Sequence, residues 1–378
     1  MKKLLMVVNV DWFFISHRLC IALEAVKRGW EVIVACEDTG RRNEIEIDGI
    51  RFVDFKFSRS GTNPLNELKT LKQFYSLYKT VKPDVVHHIT LKPVIYGSLV
   101  AKLLKVNGVV NAVSGLGYNF TGDDRQGVTQ KIMVKLMRYG FNRDRLTVIF
   151  QNGDDQRALE QLKILSTKNN IIRIKGSGVD LVKFSHSPLT SFDRIRVLFP
   201  SRMLWDKGVR ELRDSTDLLK VKYQNKIQFV LSGLADNGNK AGVSASYLND
   251  WQDGDYVVWV GYQKNMVKVY QDSHVVILPS YREGMPKTLI EACAIGRAII
   301  TTDAIGCREC VDEGINGLKI PVGTVNELVD AIEKMVNNPD VIITMGEQSR
   351  LKAEREFDVD SVISIHIEIY SRFLNKIT

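Results

Sequence analysis

Along the first half of the chain, continuous apolar runs take turns with segments whose apolar residues recur at helical spacing. LLMVVNV (residues 4–10) reads as a buried strand, HRLCIALEAVKRG as a helix closed by Gly29, and WEVIVAC as the next strand. That order of elements implies a parallel sheet. PLNELKTLKQFYSLYKTVKP is amphipathic and ends at Pro83, after which DVVHHIT, GVVNAVSG and DRLTVIFQN continue the strands. The first half therefore reads as a Rossmann-like α/β domain.

The polar stretch KFSHSPLTSFDR, residues 183–194, reads as a linker. Beyond it comes a second α/β series: RIRVLFPS, IQFVLSG, YVVWVG, HVVILPS and RAIITTD, with helical segments between them. The chain's 378 residues exceed what one hydrophobic core of about 250–300 residues accommodates. The pattern predicts domains over 1–182 and 195–358, and a terminal segment, 359–378, that packs back towards the first domain. Two such domains would flank a central cleft, with ligands beyond the carboxyl ends of the strands. The segment DSVISIHIEIYSRFLNKIT has the length of a helix, although the alternation VISIHIEIY also fits a strand.

Composition narrows the class only modestly. With 44% hydrophobic and 25% charged residues the chain is a folded protein, neither collagen-like nor disordered. The distribution of its net charge of +8 tells more. Residues 1–180 hold 28 Lys and Arg against 18 Asp and Glu, whereas 181–378 hold 24 against 26. A basic first half suits nucleic acid, an anionic membrane surface or a diphosphate-bearing substrate. The start, MKKLLMVVNVDWFFISHR, is basic and then apolar, but Asn9 and Asp11 interrupt it and no small-residue cleavage site follows, so it reads as a first strand rather than a secretory signal. No run of 18 apolar residues is present, and the five cysteines are odd in number and scattered, which points to the cytoplasm.

The stretch 278–321, LPSYREGMPKTLIEACAIGRAIITTDAIGCRECVDEGINGLKIP, carries the densest chemistry. Glu283 follows a strand, and Glu291 lies eight positions on, within the helix that Pro286 can open. Two carboxylates so placed can accept from hydroxyls on two parts of one extended ligand, such as a sugar and a ribose. Between them the helix start that Pro286 opens, with Gly284 allowing close backbone approach and Met285 beside it, offers free N–H groups and a positive dipole end to a diphosphate. In SRMLWDKG, Arg202 and Lys207 lie in the loop after the first strand of the second half. Two cations there can offset the charge of a departing nucleoside diphosphate.

Taken together, Arg202, Lys207 and Gly208, the Glu283/Glu291 pair, Gly261 followed by Tyr262, LPSYREG, AIGCRE and EGINGLKIP resemble glycosyltransferase family 4. The resemblance covers nearly the whole chain and is most specific over 200–330. It implies a GT-B fold, two Rossmann-like domains, transfer with retention of anomeric configuration, and no metal or other cofactor. It also assigns Arg202 and Lys207 to the donor diphosphate, Glu291 to the ribose, Glu283 to the transferred sugar, and the backbone near Gly261 and Tyr262 to the nucleobase. Enzymes of surface-polysaccharide and O-antigen assembly are the nearest in kind. The expected partners are a nucleotide-diphosphate sugar, with uridine as base and an N-acetylhexosamine as sugar, and a lipid-diphosphate-linked saccharide. Contact with the inner face of an anionic membrane is expected, and nucleic acid is not.

On the acceptor side the chain departs from the family. SGLGYNFTG has Ser114 before Gly115 where several members carry histidine, so His87 or His88, with Lys92, stand as substitutes. The first loop lacks the usual glycine pair and presents Asp11, His17 and Arg18 instead. Asp253-Gly-Asp255 imitates a metal-binding D-x-D but lies in a polar turn, and Asp123/Asp124 and Asp154/Asp155 have no partner pattern. Cys307-x-x-Cys310 lacks a second ligand pair, so no metal site is expected. A Rossmann oxidoreductase would need G-x-G-x-x-G after a strand, which neither VNVDWFFISHR nor PSRMLWDKG supplies. A GT-B nucleotide-sugar epimerase and a non-catalytic nucleotide-sugar-binding subunit are the alternatives.

Overall fold

The computed structural model describes residues 2–57, 64–116, 127–189, 192–236, 238–239 and 241–374. The chain divides into two units, 1–177 with 360–378, and 178–359. In the first, the strands are β1 (Lys2–Val10), β2 (Trp30–Glu37), β3 (Arg51–Asp54), β4 (Val85–Ile89), β5 (Gly108–Val113), β6 (Leu146–Phe150) and β7 (Asn169–Arg173). They pair in the order β3-β2-β1-β4-β5-β6-β7, every pair parallel. The helices of this unit are α1 (Asp11–His17), α2 (Leu19–Lys27), α3 (Pro64–Val81), α4 (Leu91–Leu103), α5 (Val128–Phe141) and α6 (Gly153–Gln161). Separate apolar clusters fill the two faces of the sheet. That is why β1 reads as an unbroken apolar run, for both its faces are covered.

The second unit repeats the plan. Its strands are β8 (Ile195–Pro200), β9 (Ile227–Ser232), β10 (Val257–Gly261), β11 (Val275–Leu278), β12 (Ala298–Thr302) and β13 (Gly317–Ile320), ordered β10-β9-β8-β11-β12-β13 and again parallel. The helices are α7 (Val209–Tyr223), α8 (Ala245–Trp251), α9 (Met266–Gln271), α10 (Lys287–Ile295), α11 (Val325–Val336) and α12 (Pro339–Glu356), followed by α13 (Val359–Arg372), which from Asp360 onward belongs to the first unit. In each sheet the strand order reverses once, between β1 and β4 and between β8 and β11. The carboxyl ends of those strands are where an open α/β sheet receives its ligand.

Two details differ from the sequence reading, and a third settles one of its alternatives. The unit boundary falls after Ser177 rather than 182, because Val179 is buried in the second core and its backbone bonds to Phe357 and Val359. The described part of 183–194 is no loose linker: Phe184 is buried in the same core, the Ser187 N–H donates to the Ile295 carbonyl, and Arg297 donates back to the Ser187 carbonyl. Finally, the alternating VISIHIEIY stretch is helical. Val362, His366, Ile369 and Tyr370 are buried at helical spacing, and the intervening isoleucines are partly covered as well, so burial on a wide helical face outweighs the period of two. Among the described residues no helix is long and apolar enough to cross a membrane.

Candidate active site

Adjacency of β8 and β11 brings together the two loops that carry Arg202, Lys207 and Glu283. After β8 the chain makes a tight 3-10 turn over Trp205–Lys207, and Gly208 then enters α7 with φ of 77°. A Cβ on Gly208 would stand 2.3 Å from the Pro279 carbonyl oxygen, so only glycine lets the two loops approach this closely. The outcome is a direct bond: Lys207 Nζ donates to Glu283 Oε1 at 2.6 Å, and the Ser280 hydroxyl donates to the same oxygen at 3.0 Å. Only 12% of the Lys207 side chain and 18% of that of Glu283 are exposed, which sets the pair apart from a solvated surface bridge. Burial disfavours the Lys207 ammonium, but the carboxylates of Glu283 and Asp206 outweigh it and hold the lysine above its ordinary range.

A second glycine braces the loop from beneath. Gly306, at φ of 83°, lies under the Glu283 and Gly284 carbonyls; its missing Cβ would come within 2.3 Å of the former, and the Glu283 N–H donates to the Ile305 carbonyl at 2.9 Å. The Thr302 hydroxyl adds a bond to the Ser280 carbonyl. The AIGCRE motif therefore acts as the seat of Glu283. Cys307 within it and Cys310 just after it are buried free thiols, and burial pushes that of Cys307 up to about 12.

Glu291 is half-buried on α10, where Tyr270 on α9 reaches it with a hydroxyl at 3.2 Å. Burial raises its carboxyl above the usual range, opposed by Lys287 and the Tyr270 bond. Pro286 caps α10, whose first residue is Lys287, and Met285 turns its side chain into the core, leaving backbone as what it can offer a ligand. Arg202 is 58% exposed and stands 4.0 Å from Asp236, while Gly261, at φ of 64°, ends β10 with open space where a Cβ would be. Tyr262 beside it is 62% exposed. Tyr270, Ser280 and Asp206 escaped the sequence reading, because their parts depend on strand adjacency rather than on any local motif.

In the first unit three candidates, Asp11, His87 and His88, are buried in internal bonding. Asp11 is buried, and its carboxylate accepts from the Trp12, Thr39 and Arg41 N–H groups and from the Thr39 hydroxyl. Burial opposes ionisation, yet these bonds keep its carboxyl below the usual range, so Asp11 clamps the loop after β2. His87 and His88 lie within β4 rather than at its end, both fully buried. His88 is held by Asn111 at 2.7 Å and Tyr78 at 2.5 Å, and His87 by Tyr370 at 2.7 Å. His17 stacks on Phe13 with ring centroids 4.1 Å apart and bonds Ser16. Lys92, in the first turn of α4, pairs with Glu67 at 3.1 Å. Ser114 and Gly115 follow β5, with the Ser114 hydroxyl buried and unpaired and Gly115 at φ of 113°. Residues 117–126, the rest of that loop with Asp123 and Asp124, lie outside the described residues. Asp253 is the clamp of its own turn, taking N–H groups of Asp255, Tyr256 and Val257 and the Lys220 ammonium, while Asp154 pairs with Arg157 and Asp155 with Asn152.

Two family models match the chain: a model described as glycosyl transferase 4-like over residues 3–152, and one described as glycosyl transferases group 1 over 194–338. The chain is a glycosyltransferase of the family 4 type. Among relatives of this glycosyltransferase is the N,N'-diacetylbacillosaminyl-diphospho-undecaprenol α-1,3-N-acetylgalactosaminyltransferase of Campylobacter jejuni, 25% identical with 96% of this chain and 97% of that one covered. Another is the UDP-Gal:α-D-GlcNAc-diphosphoundecaprenol α-1,3-galactosyltransferase of Escherichia coli, 22% identical with 90% and 89% covered. Anabaena HepE, solved in complex with UDP, shares the GT-B fold with a TM-score of 0.78 at 16% identity, covering 98% of this chain and all of that one (100%).

Proposed function

We propose that this glycosyltransferase moves a sugar, with retention, from a nucleotide-diphosphate donor to a lipid-diphosphate-linked saccharide in surface-polysaccharide assembly. The observation that carries the reading is the Lys207–Glu283 pair at the carboxyl ends of β8 and β11, where the strand order reverses. In this reading Lys207 and Arg202 hold the donor diphosphate, Glu291 accepts from the ribose hydroxyls, and the backbone at Gly284–Pro286 faces the phosphates at the head of α10. Gly261 and the exposed Tyr262 meet the base. When the bond from the anomeric carbon to the diphosphate breaks, the two cations balance the charge on the departing group, the task a divalent ion would otherwise perform. Glu283 orients the sugar and stabilises positive charge at the anomeric carbon. The acceptor hydroxyl then attacks from the same face and passes its proton to the leaving phosphate oxygen.

The named acceptors of the two bacterial relatives support a polyprenyl-diphosphate saccharide, and the nucleotide in HepE supports uridine as the base. An N-acetylhexosamine is the sugar we favour, as in the Campylobacter relative. The decisive experiment offers a synthetic GlcNAc-diphosphate-lipid with UDP-GalNAc, UDP-GlcNAc, UDP-Gal or GDP-mannose, with and without EDTA, and reads products by mass spectrometry. Transfer from a UDP-sugar that EDTA leaves intact is expected. Conversion of the donor without acceptor would replace the reading by an epimerase, and no reaction with any donor, together with no thermal shift by UDP or GDP, would replace it by a non-catalytic subunit.

Docking at the cytoplasmic face of an anionic membrane belongs to the same proposal. Neither α4 nor α5 contains an acidic residue. They expose Leu103, Ile132 and Tyr139, with Lys131, Lys135 and Arg138 also at the surface and Lys102 over the Tyr139 ring at 4.2 Å. Apolar side chains set among cations suit a bilayer of anionic lipids. Sedimentation with phosphatidylglycerol vesicles at low salt should bring the protein down, and Ile132→Asp should weaken this; no binding would remove the membrane from the reading.

A further inference from the structure

The run 279–283 meets the run 206–211 at every second residue. Gly208 touches the Pro279 carbonyl, the Tyr281 N–H donates to the Asp206 carbonyl at 2.9 Å, the Tyr281 hydroxyl donates to Glu211 Oε1 at 2.5 Å, and Lys207 donates to Glu283 at 2.6 Å. The Ser280 carbonyl takes the Thr302 hydroxyl, while its own hydroxyl donates to Glu283 Oε1. Contacts from 279, 281 and 283 thus tie this loop to the one after β8, while the Glu283 N–H holds the other side through the Ile305 carbonyl. Glu211 is 9% exposed, and its second oxygen is buried without a hydrogen-bond partner, so the Tyr281 hydroxyl, together with the start of α7, offsets the burial of this carboxylate.

We propose that Tyr281 and Glu211 are positioning residues that hold Glu283 in register while Lys207 is engaged by the donor; the inference rests on the assignment of Lys207 and Glu283 proposed above. Without donor, Lys207 itself ties Glu283 down. Once a diphosphate recruits the ammonium, that tie is shared or lost, at the moment when the carboxylate must be placed to within about 0.5 Å. The Tyr281–Glu211 bond uses neither Lys207 nor Glu283, so recruitment of the ammonium leaves it in place. It lies two residues from Glu283 and anchors the loop to the first turn of α7.

The test compares Tyr281→Phe, Glu211→Ala, Glu211→Gln and the double variant Tyr281→Phe/Glu211→Ala with Glu283→Gln as reference, measuring kcat, donor KM, UDP affinity by calorimetry and Tm. Tyr281→Phe and Glu211→Ala should each lower kcat about ten- to a hundredfold with KM and UDP affinity within about threefold, since displacement of a reacting group acts on turnover. Glu211→Gln, which keeps an acceptor, should recover most of the loss, and the double variant should be no slower than the worse single one. Normal kcat in Tyr281→Phe, additive losses in the double variant, or a loss that follows Tm alone would overturn the positioning role. Normal turnover in Glu283→Gln would instead overturn the site assignment, and this inference with it.

Discussion

Lys207 Nζ lies 2.6 Å from Glu283 Oε1 although 76 positions separate the two residues. The contact exists because β8 and β11 pair in the sheet, so that the loops leaving them share one end, and because Gly208 has no Cβ to hold those loops apart. A mostly buried pair of this kind costs desolvation on both sides, and losing one partner strands the other.

Glu283→Gln should leave UDP affinity within a few fold and lower kcat about a hundredfold or more, because the lost charge matters most in the transition state. Lys207→Ala should weaken UDP binding and turnover together. Calorimetry beside steady-state kinetics separates the two patterns, and near-normal turnover in Glu283→Gln would end the proposed role.

Glu291→Ala should act on binding. Removing an acceptor for ribose hydroxyls is expected to weaken UDP affinity roughly tenfold, in line with hydrogen bonds to a charged group at about 1.5–3 kcal/mol. A fall in kcat at unchanged affinity would contradict this placement.

Gly306→Ala tests the seat of Glu283. The new Cβ meets the Glu283 carbonyl and the backbone keeps a left-handed φ, so turnover should drop sharply along with some stability. Gly254→Ala is the control, with φ of 81° and nothing within 4 Å of the added carbon. It should lose a comparable backbone term and keep activity.

Stability should fall on acidification. His88 and His274 are held down to about 4 and His366 to about 3, chiefly by burial, and His87 lies well below the ordinary range for the same reason, with His366, Arg18 and His88 adding repulsion. The unfolded chain takes up these protons near pH 6.5 whereas the folded one resists, so the histidine contribution is intact above that pH and declines between about 6.5 and 4. Each group contributes a slope of up to about 1.4 kcal/mol per pH unit. Thermal melts at pH 7.5 and 5 check this, and equal midpoints would refute it.

Much of the proposed donor side could be picked out in the residues themselves. Arg202, Lys207, Glu283 and Glu291 sit in short motifs just after strands, and the strand–helix alternation that places them depends on local periodicity, which a single sequence displays. The first unit was harder to read. Asp11, His87, His88, His17 and Lys92 are reactive residue types, yet burial and the bonds to Thr39, Tyr370 and Asn111 show Asp11, His87 and His88 fastening the domain together. Residue type alone does not distinguish a ligand-facing group from a buried one.

From the sequence alone came the two α/β halves, the class of enzyme and the four residues proposed for the donor side, because each rests on neighbours in the chain. Tertiary structure decided that VISIHIEIY is a helix, that 183–189 packs on the second core, and that Tyr270, Tyr281, Glu211 and Gly306 support the carboxylates. Those decisions depend on which strands lie side by side and on what each face must bury, and both are settled only when distant segments meet.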